Sequence, residues 1–296
     1  MTRLFKRPQH VRTDGLFTAC SACRETVDVK ELERRFWVCP RCGYPGRLSA
    51  KRRIAITLDP ESWKEICDDL ESVDPLNFSG ARSYAERLKE NQEKTGLTEA
   101  VLTGTGTIRA SPCVYAVTDA NFMMGSMGSV VGERLTRAIE HATRERLPLI
   151  IVSGSGGGAR MDEGALSLMQ MAKTAAALAR HGRAGLLYIS VITDPTYGGV
   201  SASFAMLGDV IITEPRARAG FTGPRVIEQT MKVKLPPGFQ ESEFLRRHGQ
   251  IDLVVERKDL PETLAKLIAY CRPRDAAAAA AAAAPAPAAP AALAEP

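Results

Sequence analysis

Two Cys-x-x-Cys pairs, Cys20-Ser-Ala-Cys23 and Cys39-Pro-Arg-Cys42, stand fifteen residues apart near the start of the chain. A tetrahedral Zn²⁺ takes four thiolates at about 2.3 Å, and two such turns deliver them from two neighbouring hairpins. A module this small lacks the apolar area to fold on burial alone, so the metal has to contribute much of its stability. The spacing predicts a zinc ribbon over residues 20–42 with one structural ion held by Cys20, Cys23, Cys39 and Cys42. Gly43 suits the positive φ of a knuckle turn. Thr26-Val27-Asp28-Val29 and Phe36-Trp37-Val38 read as the ribbon's strands. Disulfide pairing is the competing reading. It needs an oxidising compartment, and the sequence shows no basic-then-apolar leader pointing there. Cys67, Cys113 and Cys271 lie in apolar stretches and read as buried packing residues.

Charge divides the chain at the same place. Residues 1–58 carry 13 Lys and Arg against 5 Asp and Glu, formally +8, and the remainder carries 26 against 29, or −3. Four thiolates with Zn²⁺ bring the module to about +6. That charge suits phosphate contacts. It suits equally a lid or clamp against a protein partner or an anionic ligand, the reading preferred here, with weak nucleic-acid binding secondary. Trp37, Phe36 and Tyr44 serve either as stacking platforms or as the ribbon's own small core. The expected organisation is a basic segment with the ribbon over 1–56, a catalytic domain over 57–273, and a disordered Ala/Pro tail over 274–296. No apolar run approaches the roughly 20 residues a bilayer requires. A cytoplasmic protein without membrane contact is expected.

Along the body, strand-like and helix-like segments alternate. Residues 59–96 read as short helices opening at Asp59-Pro60. Strands follow over 97–109 and 113–118. A helix over 129–146 shows Val131, Leu135, Ala138, Ile139 and Ala142 on one face. Then come a buried strand over 149–153, a helix over 163–181, a buried strand over 186–193, a short helix over 201–207 and a strand over 210–213. A helix from Pro224 and helices over 241–248 and 260–271 complete the series. Repeated strand, glycine loop and helix units imply a largely parallel, layered sheet with ligands at the strands' C-terminal ends.

Three glycine-rich loops open helices: Met124-Gly125-Ser126-Met127-Gly128-Ser129, Ser153-Gly154-Ser155-Gly156-Gly157-Gly158-Ala159-Arg160 and Asp194-Pro195-Thr196-Tyr197-Gly198-Gly199-Val200-Ser201. Each brings free backbone N–H groups and the positive end of a helix dipole to one place. Close strand–helix packing also calls for glycine. Three such loops, two of them directly after buried strands, favour an anion or oxyanion site. A dinucleotide fingerprint lacks its acid about 20 residues on, no Gly-Lys-Ser/Thr completes a phosphate loop, and neither Ser153 nor Ser155 sits in a nucleophile elbow. His10, His141, His181 and His248 occupy polar or helix-end positions. The pattern points to catalysis by main-chain donors.

The segments Phe122–Gly132, Ser155–Met161, Ser167–Thr174, Asp194–Gly208, Gly223–Thr230 and Leu235–Gln240, taken with the ribbon, resemble the β-subunit family of bacterial and plastid acetyl-CoA carboxylase carboxyltransferases. The likeness covers roughly residues 10–272. One departure is local: Ser155-Gly156-Gly157-Gly158-Ala159-Arg160 has a glycine more than the family pattern, so Gly156, Gly157 and Gly158 compete for the working amide. The resemblance implies an α/β, crotonase-like ββα superhelical fold behind an N-terminal four-cysteine zinc ribbon. It implies an α subunit in an α₂β₂ assembly, with biotin carboxylase and a biotin carboxyl carrier protein in the full complex. The reaction it implies carries CO₂ from carboxybiotin to the methyl carbon of acetyl-CoA, giving malonyl-CoA. An enolate then needs preorganised donors, for which Gly157, Gly158, Gly198 and Gly199 are the candidates, in two holes for the thioester and ureido oxygens. Arg160, with Gly125 and Gly128, is the candidate for binding CoA, Arg160 and the ribbon bases through its phosphates. Carboxylation of propionyl-CoA or another acyl-CoA, and a zinc-ribbon nucleic-acid regulator, are the alternatives.

Overall fold

The computed structural model describes residues 16–271. The Ala/Pro tail and the first fifteen residues lie outside that range. In chain order the elements are β1 (Phe17–Ala19), β2 (Thr26–Asp28), α1 (Val29–Arg34), α2 (Ala50–Thr57), β3 (Lys64–Glu65), α3 (Tyr84–Thr95), β4 (Val101–Ile108), β5 (Ser111–Thr118) and α4 (Ser129–Arg144). These are followed by β6 (Leu149–Ser155), α5 (Ala165–Arg183), β7 (Tyr188–Tyr197), α6 (Gly198–Ser201), β8 (Val210–Thr213), β9 (Ala219–Gly220), α7 (Pro224–Met231), α8 (Ser242–Arg247), β10 (Leu253–Val254) and α9 (Leu260–Tyr270).

One eight-stranded sheet runs β10-β8-β7-β6-β5-β4-β3, with β9 added alongside the far end of β7. Pairing is parallel from β5 through β10. β3 and β4 are antiparallel at one edge, so the sheet is mixed rather than parallel throughout. The β4–β5 hairpin turns on Arg109 and Ala110, both at positive φ, +49° and +63°. This two-residue turn matches the strands' own twist. Asp59 caps it instead of a helix: its carboxylate accepts from Arg109 N at 3.0 Å, Ala110 N at 2.8 Å and Thr107 Oγ1 at 2.6 Å. No helix opens at Asp59. The helix in that region, α3, begins 25 residues later, behind an N-cap at Ser83 that forms a reciprocal capping box with Glu86.

The apolar stripe of α4 is as the periodicity predicts. Val131, Leu135, Ala138, Ile139 and Ala142 are each at most 1% exposed. They pack with the wholly buried β5 and β6 residues Val114, Ala116, Leu149 and Ile151. α2 and its C-cap belong to this core as well, through Ala50, Ile54 and Leu58, although most of the helix falls within residues 1–56 of the expected basic segment. The ribbon has its own small cluster around Val27, Leu32 and Cys39. Its second predicted strand is not formed. Phe36 and Trp37 take positive φ, +54° and +62°, and only Val38 makes a bridge, to Pro45. Of the remaining cysteines only Cys113 is buried; Cys67 is half-buried and Cys271 exposed, contrary to the packing role expected for all three.

Candidate functional site

The four ribbon cysteines come together. Their sulfurs lie within 4.8 Å of one another, with Cys20 Sγ 3.8 Å from Cys42 Sγ and Cys23 Sγ 3.9 Å from Cys39 Sγ. A tetrahedron of thiolates about 2.3 Å from a central ion has edges of about 3.8 Å, so the set fits a metal. The two knuckles share one turn. Arg24 N donates to Cys20 O and Gly43 N to Cys39 O, each at 2.9 Å, with Arg24 and Gly43 both at positive φ.

Ion pairs seat this module on the body. Glu214, at the end of β8, accepts two hydrogen bonds from Arg257, at 2.7 and 2.6 Å, and one from Arg53 at 2.6 Å. All three side chains are nearly inaccessible. Burial pushes the Glu214 carboxyl up, but the two guanidinium groups outweigh it and hold it down at about 2. Arg257 also donates to the ribbon carbonyls of Phe36 and Gly46, each at 2.8 Å. Nearby, Tyr44 Oη donates to Asp194 Oδ2, and Arg218 grips the same carboxylate through Nε at 2.8 Å and Nη2 at 3.0 Å. The seam holds a cavity of about 570 Å³, lined by Tyr44, Asp194, Arg216, Arg218, Arg47 and Trp37 among others.

The two glycine corners that follow β6 and β7 abut. A methyl group placed on Gly158 would lie 3.1 Å from Gly199 N and 3.2 Å from Gly198 Cα; one on Gly199 would lie 3.2 Å from Ala159 N and 3.0 Å from Met171 Sδ. At those distances a side chain would fit only if its neighbours gave way. Gly158 and Gly198 also take positive φ, +58° and +63°. Two candidate amides are already used: Gly156 N donates to Met124 O and Gly198 N to Phe221 O, both at 2.9 Å. Gly198 is therefore removed from the donor set. Among the described residues, no protein acceptor takes the N–H of Gly157, Gly158 or Gly199. The buried hydroxyls of Ser155 and Tyr197, on the strand ends that carry these corners, also lack partners.

The three residues expected to hold CoA are packed away. Arg160 is 2% exposed, and its guanidinium donates to Glu99 at 2.7 and 2.9 Å, to Tyr84 at 2.8 Å and to Ser126 O at 3.0 Å. Burial opposes its charge, but Glu99 and Tyr84 raise its pKa further. Glu163 stands in the same cluster and accepts from Ser129 N at 2.6 Å, at the start of α4. Gly128 is the gap this cluster fills: a Cβ there would lie 2.3 Å from Glu163 Oε1 and 2.7 Å from Arg160 Nη1. Gly125 gives its N–H to Phe122 O at 2.8 Å, and a Cβ on it would lie 2.4 Å from Gly154 O. Both glycines serve packing, and Arg160 braces the loop from behind. Sequence reasoning overlooked Glu99, Glu214, Arg53, Arg257 and Arg218, because each partner lies tens to hundreds of positions away. His181 is buried and bonded to Thr143 and Leu187 O, and burial lowers its pKa.

The mixed sheet and the two glycine corners at its strand ends fall within a stretch that matches a carboxyl transferase domain. The family model of that description matches residues 44–259. Curated relatives go further. The acetyl-coenzyme A carboxylase carboxyl transferase subunit β of Synechococcus sp. (strain JA-3-3Ab) is 55% identical over 273 residues, covering 91% of this chain and 87% of that one. The subunit of that name from Desulforudis audaxviator is 56% identical, covering 88% and 94%. This chain belongs to the acetyl-coenzyme A carboxylase carboxyl transferase β-subunit family, and it is an enzyme subunit of the carboxyl transferase class. Among solved structures, a transcarboxylase 12S with methylmalonyl-coenzyme A and methylmalonic acid bound is 27% identical at TM-score 0.63, covering 81% of this chain and 42% of that one. This chain thus spans less than half of the transcarboxylase chain. A Pseudomonas malonate decarboxylase heterodimer is 25% identical at TM-score 0.58, covering 79% and 92%. Among the described residues no helix is long and apolar enough to cross a membrane.

Proposed function

We propose that this chain transfers the carboxyl group of carboxybiotin, borne on a separate carrier protein, to acetyl-CoA, forming malonyl-CoA, the first committed step of fatty acid synthesis. The observation that carries the reading is the converging pair of corners, with the amides of Gly157, Gly158 and Gly199 free of protein acceptors. Drawing a proton from the thioester's methyl carbon puts negative charge on the carbonyl oxygen. Rigid N–H donors aimed at that oxygen lower the barrier, each by about 3–4 kcal/mol. Carboxybiotin supplies the CO₂ and then a ureido nitrogen that takes the methyl proton, so this chain needs no strong base. Asp194 suits that role poorly. Against burial, Arg218 and Tyr44 hold its carboxyl below the usual range.

That the corners abut supports reading them as one hole, where the sequence led us to expect two. We assign that hole to the thioester oxygen, leaving the ureido oxygen to an α subunit of similar fold in an α₂β₂ assembly. An all-thiolate tetrahedral set suits Zn²⁺, one structural ion per chain. The ribbon walls one side of the seam cavity, which suits a lid over an extended substrate. Two of its three candidate aromatics are otherwise engaged, Trp37 beneath Arg52 at 4.1 Å and Tyr44 tied to Asp194, while Phe36 is exposed. The nucleic-acid reading gains nothing from Trp37 or Tyr44.

The test is Gly199→Val in the assembled complex, read by malonyl-CoA formation and by acetyl-CoA binding. Removing a donor's aim is expected to cut turnover by at least about 100-fold while the complex and CoA binding persist. Wild-type turnover in the variant refutes the assignment.

A further inference from the structure

Tyr44 lies on the ribbon, two residues after the metal-ligating Cys42, yet its hydroxyl belongs to the body's catalytic strand. The Asp194 carboxylate it meets is 6% exposed and stands on β7 four positions before Gly198. The rest of that carboxylate is taken by Arg218, through Nε, Nη2 and also the backbone N at 3.1 Å. From Arg218 onward the chain runs as a rail beside the corner. Arg218 O accepts Thr196 N at 2.9 Å, Ala219 and Gly220 pair with Thr196 and Tyr197, and Phe221 O accepts Gly198 N at 2.9 Å. Ser201 Oγ then donates to Gly220 O at 2.8 Å, on the far side of Gly199. On this side the Gly199 peptide leans on a rail that Arg218 ties to one carboxylate, with Gln240 bracing the rail further on through Ala219 N and Thr222 O, and the ribbon meets that carboxylate through the Tyr44 hydroxyl. Arg216 reinforces the link, donating to Cys42 O at 3.2 Å with its guanidinium 5.2 Å from the Tyr44 ring centre.

We infer that Tyr44, acting through Asp194 and Arg218, is a positioning residue that makes the seating of the metal ribbon set the aim of the Gly199 amide. The inference rests on the reading above, in which that amide receives the thioester oxygen. It gives the ribbon a part in turnover separate from any part in substrate binding. A lid alters how tightly acetyl-CoA is held, whereas a strap on the corner alters a contact that matters most in the transition state, and so kcat rather than KM.

The experiment uses the metal-loaded chain in complex with its carboxyl transferase partner, with acetyl-CoA and a carboxybiotin donor. Tyr44→Phe removes one hydroxyl and keeps the ring; Arg218→Lys breaks the two-pronged grip from the body side and leaves the ribbon untouched. Each is expected to lower kcat about tenfold, less than outright loss of a donor, with KM for acetyl-CoA within twofold and ribbon metal content unchanged. The double variant is expected to be no slower than the slower single one, since both cut the same strap. Thr26→Ala, exposed on the ribbon and neither at the seam cavity nor in the strap, retains wild-type kcat. Unchanged kcat in both single variants, an effect confined to KM, or a multiplicative loss in the double variant overturns the inference while leaving the proposed reaction standing. A wild-type complex that makes no malonyl-CoA overturns the reaction and the strap together.

Discussion

Replacing Arg160 by methionine separates two incompatible accounts of that residue. If it holds CoA phosphates, the variant binds acetyl-CoA poorly and is as stable as the parent. The structure requires the opposite. The Arg160 and Glu99 side chains are 1% and 0% exposed, so the variant leaves a carboxylate in the interior without its cation. Breaking a buried pair from one side costs about 3–5 kcal/mol. In a domain of this size each kcal/mol moves the midpoint about 2–4 °C, so Tm is expected to fall by roughly 6–20 °C. The loss also depends on pH. In the parent, burial pushes the Glu99 carboxyl up, but Arg160 outweighs it and holds it below its ordinary range. In the variant burial's upward push loses its main counterweight and only the hydrogen bonds from Ser72 and Ala100 N still pull down, so the folded-state pKa is expected to rise and the penalty to grow as pH climbs past the unfolded value. Melting curves at pH 5 and pH 8 are therefore expected to show the larger deficit at pH 8. Adding Glu99→Gln to Arg160→Met removes the stranded charge and is expected to recover at least half of the lost stability. An unchanged Tm with a raised KM for acetyl-CoA refutes the packing argument.

Two further outcomes follow from the ribbon. Cys39→Ser breaks a buried ligand of the four-thiolate set, so metal analysis is expected to show the ion lost and hydrogen exchange to rise across residues 20–42, while α4 and the central strands stay protected; an intact, metal-loaded ribbon contradicts the assignment. Glu214, held at about 2 against an ordinary 4.5, contributes stability that is complete above about 4.5 and lost as pH falls toward 2. The stability advantage of wild type over Glu214→Gln, measured by urea melts, is expected to narrow steadily across that window, and a constant difference refutes it.

What the sequence revealed and what it hid divide along a physical line. The α4 stripe, the β8 boundaries and the cysteine spacing are local patterns, and each appears in the structure as read. Glycine-rich corners were recognisable too, but which amides stay free depends on Met124 and Phe221, more than twenty residues away from their donors. Arg160 was misjudged for the same reason. Its neighbours in sequence give no sign of Glu99, 61 positions upstream. Phe36-Trp37-Val38 carries strand-forming side chains, yet the turn back toward Cys39 overrides that preference with positive φ. β3, β9 and β10, two residues each, are too short for periodicity to register.

Arg257 meets the Phe36 carbonyl across 221 positions of chain. On the ribosome the thiol-rich module emerges first, yet its berth is incomplete until almost the whole body has been made. Capturing its ion early would give the nascent chain a finished piece with nowhere to rest, tethered through Pro45 and Gly46 until the last strand arrives. The module is thus made before the body and seated after it.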